Sequence, residues 1–261
     1  MQVVENLLTE TARAVSFLSR LPVPDRFFAG HDGSLSRTVM AFPLAGLVIA
    51  LPACLVITVL SAAGVAPILI ALVAITVQVM LTGALHEDGL SDTVDGFGGG
   101  RTRDKALAIM KDSRIGTYGA LALILSVGLR IAALSILIQV LPPLAAGLTW
   151  LAAAVLSRTL MVWHWSSLPS ARTDGIAAYA GLPNAEAART ALVLGGAITL
   201  ALSLVALPFH AWFVAAAISL LAVSTFTRHC RKRIDGHTGD TIGASQQLCE
   251  SAYLLTLAML L

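Results

Sequence analysis

VMAFPLAGLVIALPACLVITVLSAAGVAPILIALVAITVQVMLTGAL, running from Val39 to Leu85, contains no Asp, Glu, Lys or Arg. A helix needs about 20 apolar residues to cross the hydrocarbon layer of a bilayer, so this stretch supplies two spans. A second uncharged stretch, Thr190 to Thr227, supplies two more. Across all 261 residues, 57% are hydrophobic and 12% are charged, with a mean hydropathy of +0.83. A soluble domain is roughly a quarter charged. The chain therefore reads as all-α, a polytopic helical integral membrane protein whose first partner is the lipid bilayer.

Reading apolar runs against breaks of Gly, Pro and charge gives seven spans, 39–62, 67–85, 116–140, 143–165, 190–207, 210–227 and 244–261. Three connections are hairpin turns: Ala62 to Pro67, Leu141 to Pro143, and Pro208 to Phe209. The other segments carry nearly all the cations, from Arg13, Arg20, Arg26 and Arg37 through Arg101, Arg103, Lys105, Lys111 and Arg114 to Arg228, Arg231, Lys232 and Arg233. Such a bias places those segments in the cytoplasm. The N-terminus is then cytoplasmic, and seven spans put the C-terminus on the other side. The acids lie on the cytoplasmic side as well, so chemistry is expected there.

The first residues, with Glu5, Glu10, Arg13 and Arg20, have no uninterrupted apolar core and do not read as a signal peptide. Val4, Leu7, Leu8, Val15 and Leu18 recur at helical spacing, as in a surface-lying or packed helix. Cys54, Cys230 and Cys249 lack metal-ligand spacing and read as unpaired thiols. Nothing points to nucleic acid. No repeat divides the chain, which reads as one membrane-embedded domain over 1–261, with a cytoplasmic N-terminal segment 1–38 and a cytoplasmic catalytic loop 86–115. The sequence leaves open a homo-oligomer.

The densest polar stretch is His86-Glu87-Asp88-Gly89-Leu90-Ser91-Asp92-Thr93-Val94-Asp95-Gly96. On a helix continuing the second span, Asp88, Asp92 and Asp95 fall at i, i+4 and i+7, so three carboxylates share one face. Anions this close repel one another unless a cation joins them. Hard oxygen ligands suit Mg²⁺, which takes a few carboxylates plus water and phosphate oxygens. The alternative is a solvated or capping helix face. The interleaved glycines argue against that, since each costs about 1 kcal/mol in a helix relative to Ala.

Lys111 and Arg114, in a compact Lys-Asp-Ser-Arg unit at the membrane boundary, are candidates to bind substrate phosphate. Arg101, Arg103 and Lys105 either do the same or only set topology. A second cluster, Asp235-Gly236-His237-Thr238-Gly239-Asp240-Thr241-Ile242-Gly243-Ala244, reads as a tight loop on the same side. Arg158 and Glu250 are ionisable residues inside spans, which by default suggests function; Arg158 joins the phosphate-binding candidates, and pairing or snorkelling is the other reading. Arg130, nearer mid-span, is expected to pair internally. His164 between Trp163 and Trp165 reads first as part of an interfacial aromatic belt.

Four stretches together resemble the adenosylcobinamide-GDP ribazoletransferases, also called cobalamin-5′-phosphate synthases. They are Phe17-Leu18-Ser19-Arg20-Leu21-Pro22-Val23-Pro24, His86 to Gly96, Ile109 to Gly119, and Thr238-Gly239-Asp240-Thr241-Ile242-Gly243-Ala244. Glu87 departs from the family's usual apolar residue. Asp92-x-x-Asp95-Gly96 is also similar to part of the CDP-alcohol phosphotransferase signature, whose continuation is absent. The resemblance implies a Mg²⁺-dependent transferase of the inner membrane. A ribose hydroxyl of α-ribazole, or of its 5′-phosphate, would attack the corrinoid-side phosphorus of adenosylcobinamide-GDP, and GMP would leave. Asp88, Asp92 and Asp95 are then the metal ligands, and Asp240 and His86 the catalytic candidates. The alternatives are a CDP-alcohol phosphotransferase-like lipid enzyme and a multipass cation or small-molecule transporter.

Overall fold

The computed structural model describes residues 2–175 and 180–261; the side chains of residues 2–4, Val4 included, lie outside that description. Among the described residues the fold has ten α-helices: α1 (Gln2–Leu18), α2 (Phe42–Ala62), α3 (Pro67–Thr82), α4 (Leu85–Gly99), α5 (Arg103–Met110), α6 (Thr117–Val140), α7 (Pro143–Ser166), α8 (Ala185–Ala206), α9 (Phe209–Ile234) and α10 (Gly239–Leu260). Short 3₁₀ turns at Asp25–Phe28 and Thr38–Ala41 link α1 to α2. Among the described residues there is no strand, only an isolated bridge between Ser170 and His237.

Helices α2, α6, α7, α8 and α9 are each long and apolar enough to cross a membrane, and α3 joins them when counted with α4. Pro at the first or second position of α2, α3 and α7 starts those helices where a free N–H is not needed. Helix α7 is buried along almost its whole length and packs on α2, α8 and α10, so it is the axis of the bundle. Leu55, Val59, Ile124, Leu125, Val193, Phe213 and Leu221 stay exposed on the outer helices. In water such a surface would aggregate; against lipid tails it is the expected face.

Two expectations change. The second span ends at Thr82 rather than running on: Gly83 and Ala84 are both left-handed, at φ 63 and 59, and α4 leaves α3 at 88°. The acidic cluster therefore lies on its own helix, turned off the end of the span, and 86–115 is not a loop but the helices α4 and α5. The seventh expected span falls within α10, whose first half carries buried Gln246, Gln247 and Glu250 and is too polar to count as an apolar span. Helix α10 runs instead through the middle of the bundle, against α4, α6, α7 and α9.

Helix α1 is an ordinary packed helix: Ala14, Val15 and Leu18 are buried, and Arg20 donates its backbone N–H to Leu81 at 2.7 Å. A Cβ at Gly83 would collide with the Arg20 side chain, so the sharp turn after α3 and the end of α1 fit one another. The three cysteines are buried free thiols. His164 is buried rather than belted, with Nδ1 2.8 Å from Thr227 Oγ1 and Nε2 3.3 Å from Thr241 Oγ1, joining α7, α9 and α10.

Candidate active site

Helices α4 and α10 cross where both carry glycine. A Cβ on Gly89 would lie 2.7 Å from the Asp240 carbonyl oxygen, and one on Gly243 would lie 3.4 Å from the Cα of His86. The glycines of the acidic cluster are thus spent on close backbone approach, at Gly89 against α10 and at Gly96 against Met110 and Ala106 of α5. This crossing sets the first turn of α10, with Asp240, beside the acidic face of α4.

The electrostatics record that convergence. The Asp92 carboxyl is pushed up to about 7, first by burial and then by Asp88, Asp240 and Asp95, with Arg172 opposing. Asp240 is raised by burial and by Asp88, against Arg172 and a hydrogen bond from Thr238. Four carboxylates repel one another across one small region, and a divalent cation would relieve that repulsion. Among the described residues, no three His, Cys, Asp or Glu side chains come together in ligand geometry. The donor set fits Mg²⁺ in its usual manner, in which one or two carboxylates hold the ion and water and phosphate oxygens complete the shell.

Asp95 is engaged elsewhere. Its two oxygens accept the backbone N–H groups of Gly116 at 2.7 Å and Gly119 at 2.8 Å, so it satisfies the open N-terminus of α6. Its carboxylate is buried and held by the protein, whereas Asp88 is exposed and Asp92 half-buried.

Beside the acids opens a cleft of about 460 Å³. Its lining combines polar His86, Asp88, Asp240, Arg172, Asp174 and Thr238 with apolar Phe17, Phe42, Met161, Trp165 and Ile242. Two connections are laced together to form the polar rim: Ala171 donates its N–H to His237 O at 2.8 Å and His237 to Pro169 O at 2.9 Å. Gly236 allows this, because a Cβ there would meet the Pro169 carbonyl. The lacing puts Arg172 Nη1 3.7 Å from Asp240 Oδ2. His86 is fully buried, its Nε2 without a partner among the described residues, and burial followed by Arg158 and Arg130 holds its imidazole neutral.

The cations chosen from sequence are placed differently from one another. Lys111 reaches the rim, paired with Asp174 at 2.7 Å. Arg114 is exposed and bound to its neighbour Asp112 at 2.6 Å, holding that carboxyl down at about 2, and does not line the cleft. Arg158 is 1% exposed and lies in the helix core, 3.1 Å from Glu250, so as placed it serves an internal network rather than a phosphate. In that network Arg130 bridges Glu250 and Glu87 at 3.0 Å each, as its mid-span position suggests, and Gln246 and Gln247 complete it. Glu87 thereby gains a role: it anchors α4 to the core one residue before Asp88.

Arg172 and Asp174, not singled out from the sequence, are the residues missed. Their signal was the polar run Ser170-Ala171-Arg172-Thr173-Asp174-Gly175 between two spans, on the same side as both acidic clusters.

The chain is similar to proteins with one common name. A protein of Sinorhizobium medicae, named adenosylcobinamide-GDP ribazoletransferase, is 53% identical over 99% of both chains. A namesake from Rhizobium meliloti is 53% identical over 98% of each, and one from Azorhizobium caulinodans 43% over 95% of each. No solved structure matches the chain significantly. The family model described as cobalamin-5-phosphate synthase matches residues 10–258, and the chain belongs to that family.

Proposed function

We propose that the protein joins adenosylcobinamide-GDP to α-ribazole, or to α-ribazole 5′-phosphate, forming adenosylcobalamin or its 5′-phosphate and releasing GMP. The observation that carries this reading in the structure is the meeting of Asp88 and Asp240 on one cleft, with Asp92 close enough to feel both carboxylates. Such an array suits phosphoryl transfer, where the protein chiefly positions oxygens and offsets charge. The reaction takes place at the cytoplasmic face of the inner membrane, where every cation-rich connection gathers. A transporter would carry polar groups toward both faces.

Asp88 and Asp92 would hold Mg²⁺, with phosphate oxygens and water in the remaining positions. Bound there, the ion would offset negative charge on the phosphate oxygens of adenosylcobinamide-GDP. Asp95 keeps the N-terminus of α6 against the acidic helix. Arg172 faces the same space and meets the phosphate, and Lys111 joins it by exchanging Asp174 for phosphate oxygen. Asp240, whose proton affinity is raised, takes the proton of the attacking ribose hydroxyl. The hydroxyl oxygen forms a bond to the corrinoid-side phosphorus as the bond to GMP breaks. His86, neutral and with Nε2 unpartnered among the described residues, can accept a hydrogen bond from a neighbouring ribose hydroxyl.

Purified protein in lipid, given both substrates with and without Mg²⁺, is expected to release GMP and form the cobamide only with the metal. Equal turnover in excess chelator would remove Mg²⁺ from the reading, and no GMP under any condition would overturn the activity.

A further inference from the structure

The Phe17-Leu18-Ser19-Arg20 stretch is distant in sequence from the acidic clusters, and the proposed chemistry leaves it without a task. The structure gives it one. Phe17, at the end of α1, is half-buried and lines the cleft. Its ring is stacked on Phe42, the first residue of α2, at a centroid distance of 6.1 Å and 22°, and Phe42 lies 6.2 Å from Trp165 at the end of α7. Phe42 and Trp165 are buried, so they fix the Phe17 ring from behind. The result is an aromatic wall on the same cavity of about 460 Å³ that Asp88 and Asp240 line.

Two buried polar atoms of residues that line this cavity have no partner among the described residues: Trp165 Nε1, a donor, and His86 Nε2, an acceptor when its ring carries the proton on Nδ1. Buried polar atoms are nearly always paired, so these two leave one donor and one acceptor open to a ligand. The cavity is of the size that encloses one small molecule. A nucleoside fits; a corrin macrocycle with its side chains does not.

We infer that the cleft is the subsite of the nucleoside acceptor. Its aromatic base lies on the Phe17 wall and its ribose points to Asp240 and His86, while the corrinoid remains outside the mouth. The inference rests on the proposed activity. The guanine of the donor is the other flat base available. Guanine has polar groups along both edges and arrives on a diphosphate, whereas this wall offers one donor and apolar rings, with acids flanking the entry. A neutral nucleoside with a benzimidazole-type base matches that lining.

Phe17→Ala should raise the KM for α-ribazole about tenfold, the scale of one lost base–aromatic stack. The KM for adenosylcobinamide-GDP should stay within twofold, and Phe17→Tyr should recover most of the loss. Calorimetry of the wild-type protein in lipid, with α-ribazole alone and with guanosine alone, supplies a readout independent of turnover and of any folding defect in a variant. α-Ribazole is expected to bind, to bind about tenfold more weakly to Phe17→Leu, and to bind ahead of guanosine. A rise confined to the KM for adenosylcobinamide-GDP, guanosine binding ahead of α-ribazole, or no binding of α-ribazole would each overturn the assignment. Absence of GMP release together with normal α-ribazole binding would instead refute the activity and leave the subsite standing.

Discussion

Glu250→Gln is the most informative single change in the core. Glu250 is 1% exposed and accepts from Arg130 at 3.0 Å, Arg158 at 3.1 Å and Gln246 at 2.8 Å. With Glu87 the four ionisable side chains sum to zero charge. Glutamine keeps the shape but leaves a net positive charge buried. Arg130 retains Glu87, whereas Arg158 retains only Ser157 Oγ at 3.2 Å. Breaking a buried pair from one side costs about 3–5 kcal/mol, and the low dielectric of the bilayer interior argues for the upper part of that range. Replacing Arg158 by methionine in the same molecule restores neutrality. The double variant should therefore recover part of the loss, with a coupling of about 0.5–3 kcal/mol. Reversible unfolding in mixed micelles, followed by helical circular dichroism, compares the parent, Glu250→Gln, Arg158→Met and the double variant. If Glu250→Gln lies within about 1 kcal/mol of the parent, or the two losses simply add, the network is not held by charge balance and the reasoning fails.

The acidic helix should divide by role. Asp88→Asn and Asp92→Asn should lower turnover and raise the Mg²⁺ requirement with little loss of stability, while Asp95→Ala should cost about 1–3 kcal/mol by orphaning the Gly116 and Gly119 N–H groups; identical Mg²⁺ titrations for all three would contradict the division. In chelator, stability should depend on pH through Asp92. Its folded pKa of about 7 lies above its unfolded value of about 3.9. The proton taken up on folding stabilises fully below the unfolded value, and that stabilisation is lost as pH rises through 7. Unfolding curves should weaken from pH 5 to 8, and Asp92→Asn should flatten the trend; parallel profiles would refute it. Gly89→Ala should destabilise by about 1–3 kcal/mol because its Cβ meets the Asp240 backbone, whereas Gly196→Ala on α8, with open space around it, should be neutral or stabilising; equal effects would count against the close crossing. For topology, cysteine at exposed Thr102 should label only in inverted vesicles and cysteine at His210 only from outside; buried Ser91 is a poor probe position. Labelling of Thr102→Cys in intact cells would invert the topology.

How much of this was legible without coordinates depends on the range of the interaction. Helix class, and most helix ends to within a few residues, follow from local facts: apolar runs, proline at helix starts, and short turns such as Leu141-Pro142. The spacing of Asp88, Asp92 and Asp95 on one helix was equally local, and so was the kinship with the cobalamin-5-phosphate synthases, since it rests on contiguous motifs. What residues do across the bundle was not. Whether Arg158 meets a phosphate or a glutamate depends on a partner 92 residues away. Asp95 was read as equivalent to its two neighbours, and only the docking of α6 gives it two N–H partners. The Gly83-Ala84 break could not be foreseen either, because alanine has no preference for the left-handed region and adopts it here where the end of α1 packs against the turn. The sequence by itself determined that the chain is a polytopic helical membrane protein, with its acidic clusters in the connections between apolar runs. Only tertiary structure decided which carboxylates converge and which charges neutralise one another, because electrostatic partners in a low-dielectric core are chosen by proximity in space, and proximity is set by how the helices cross.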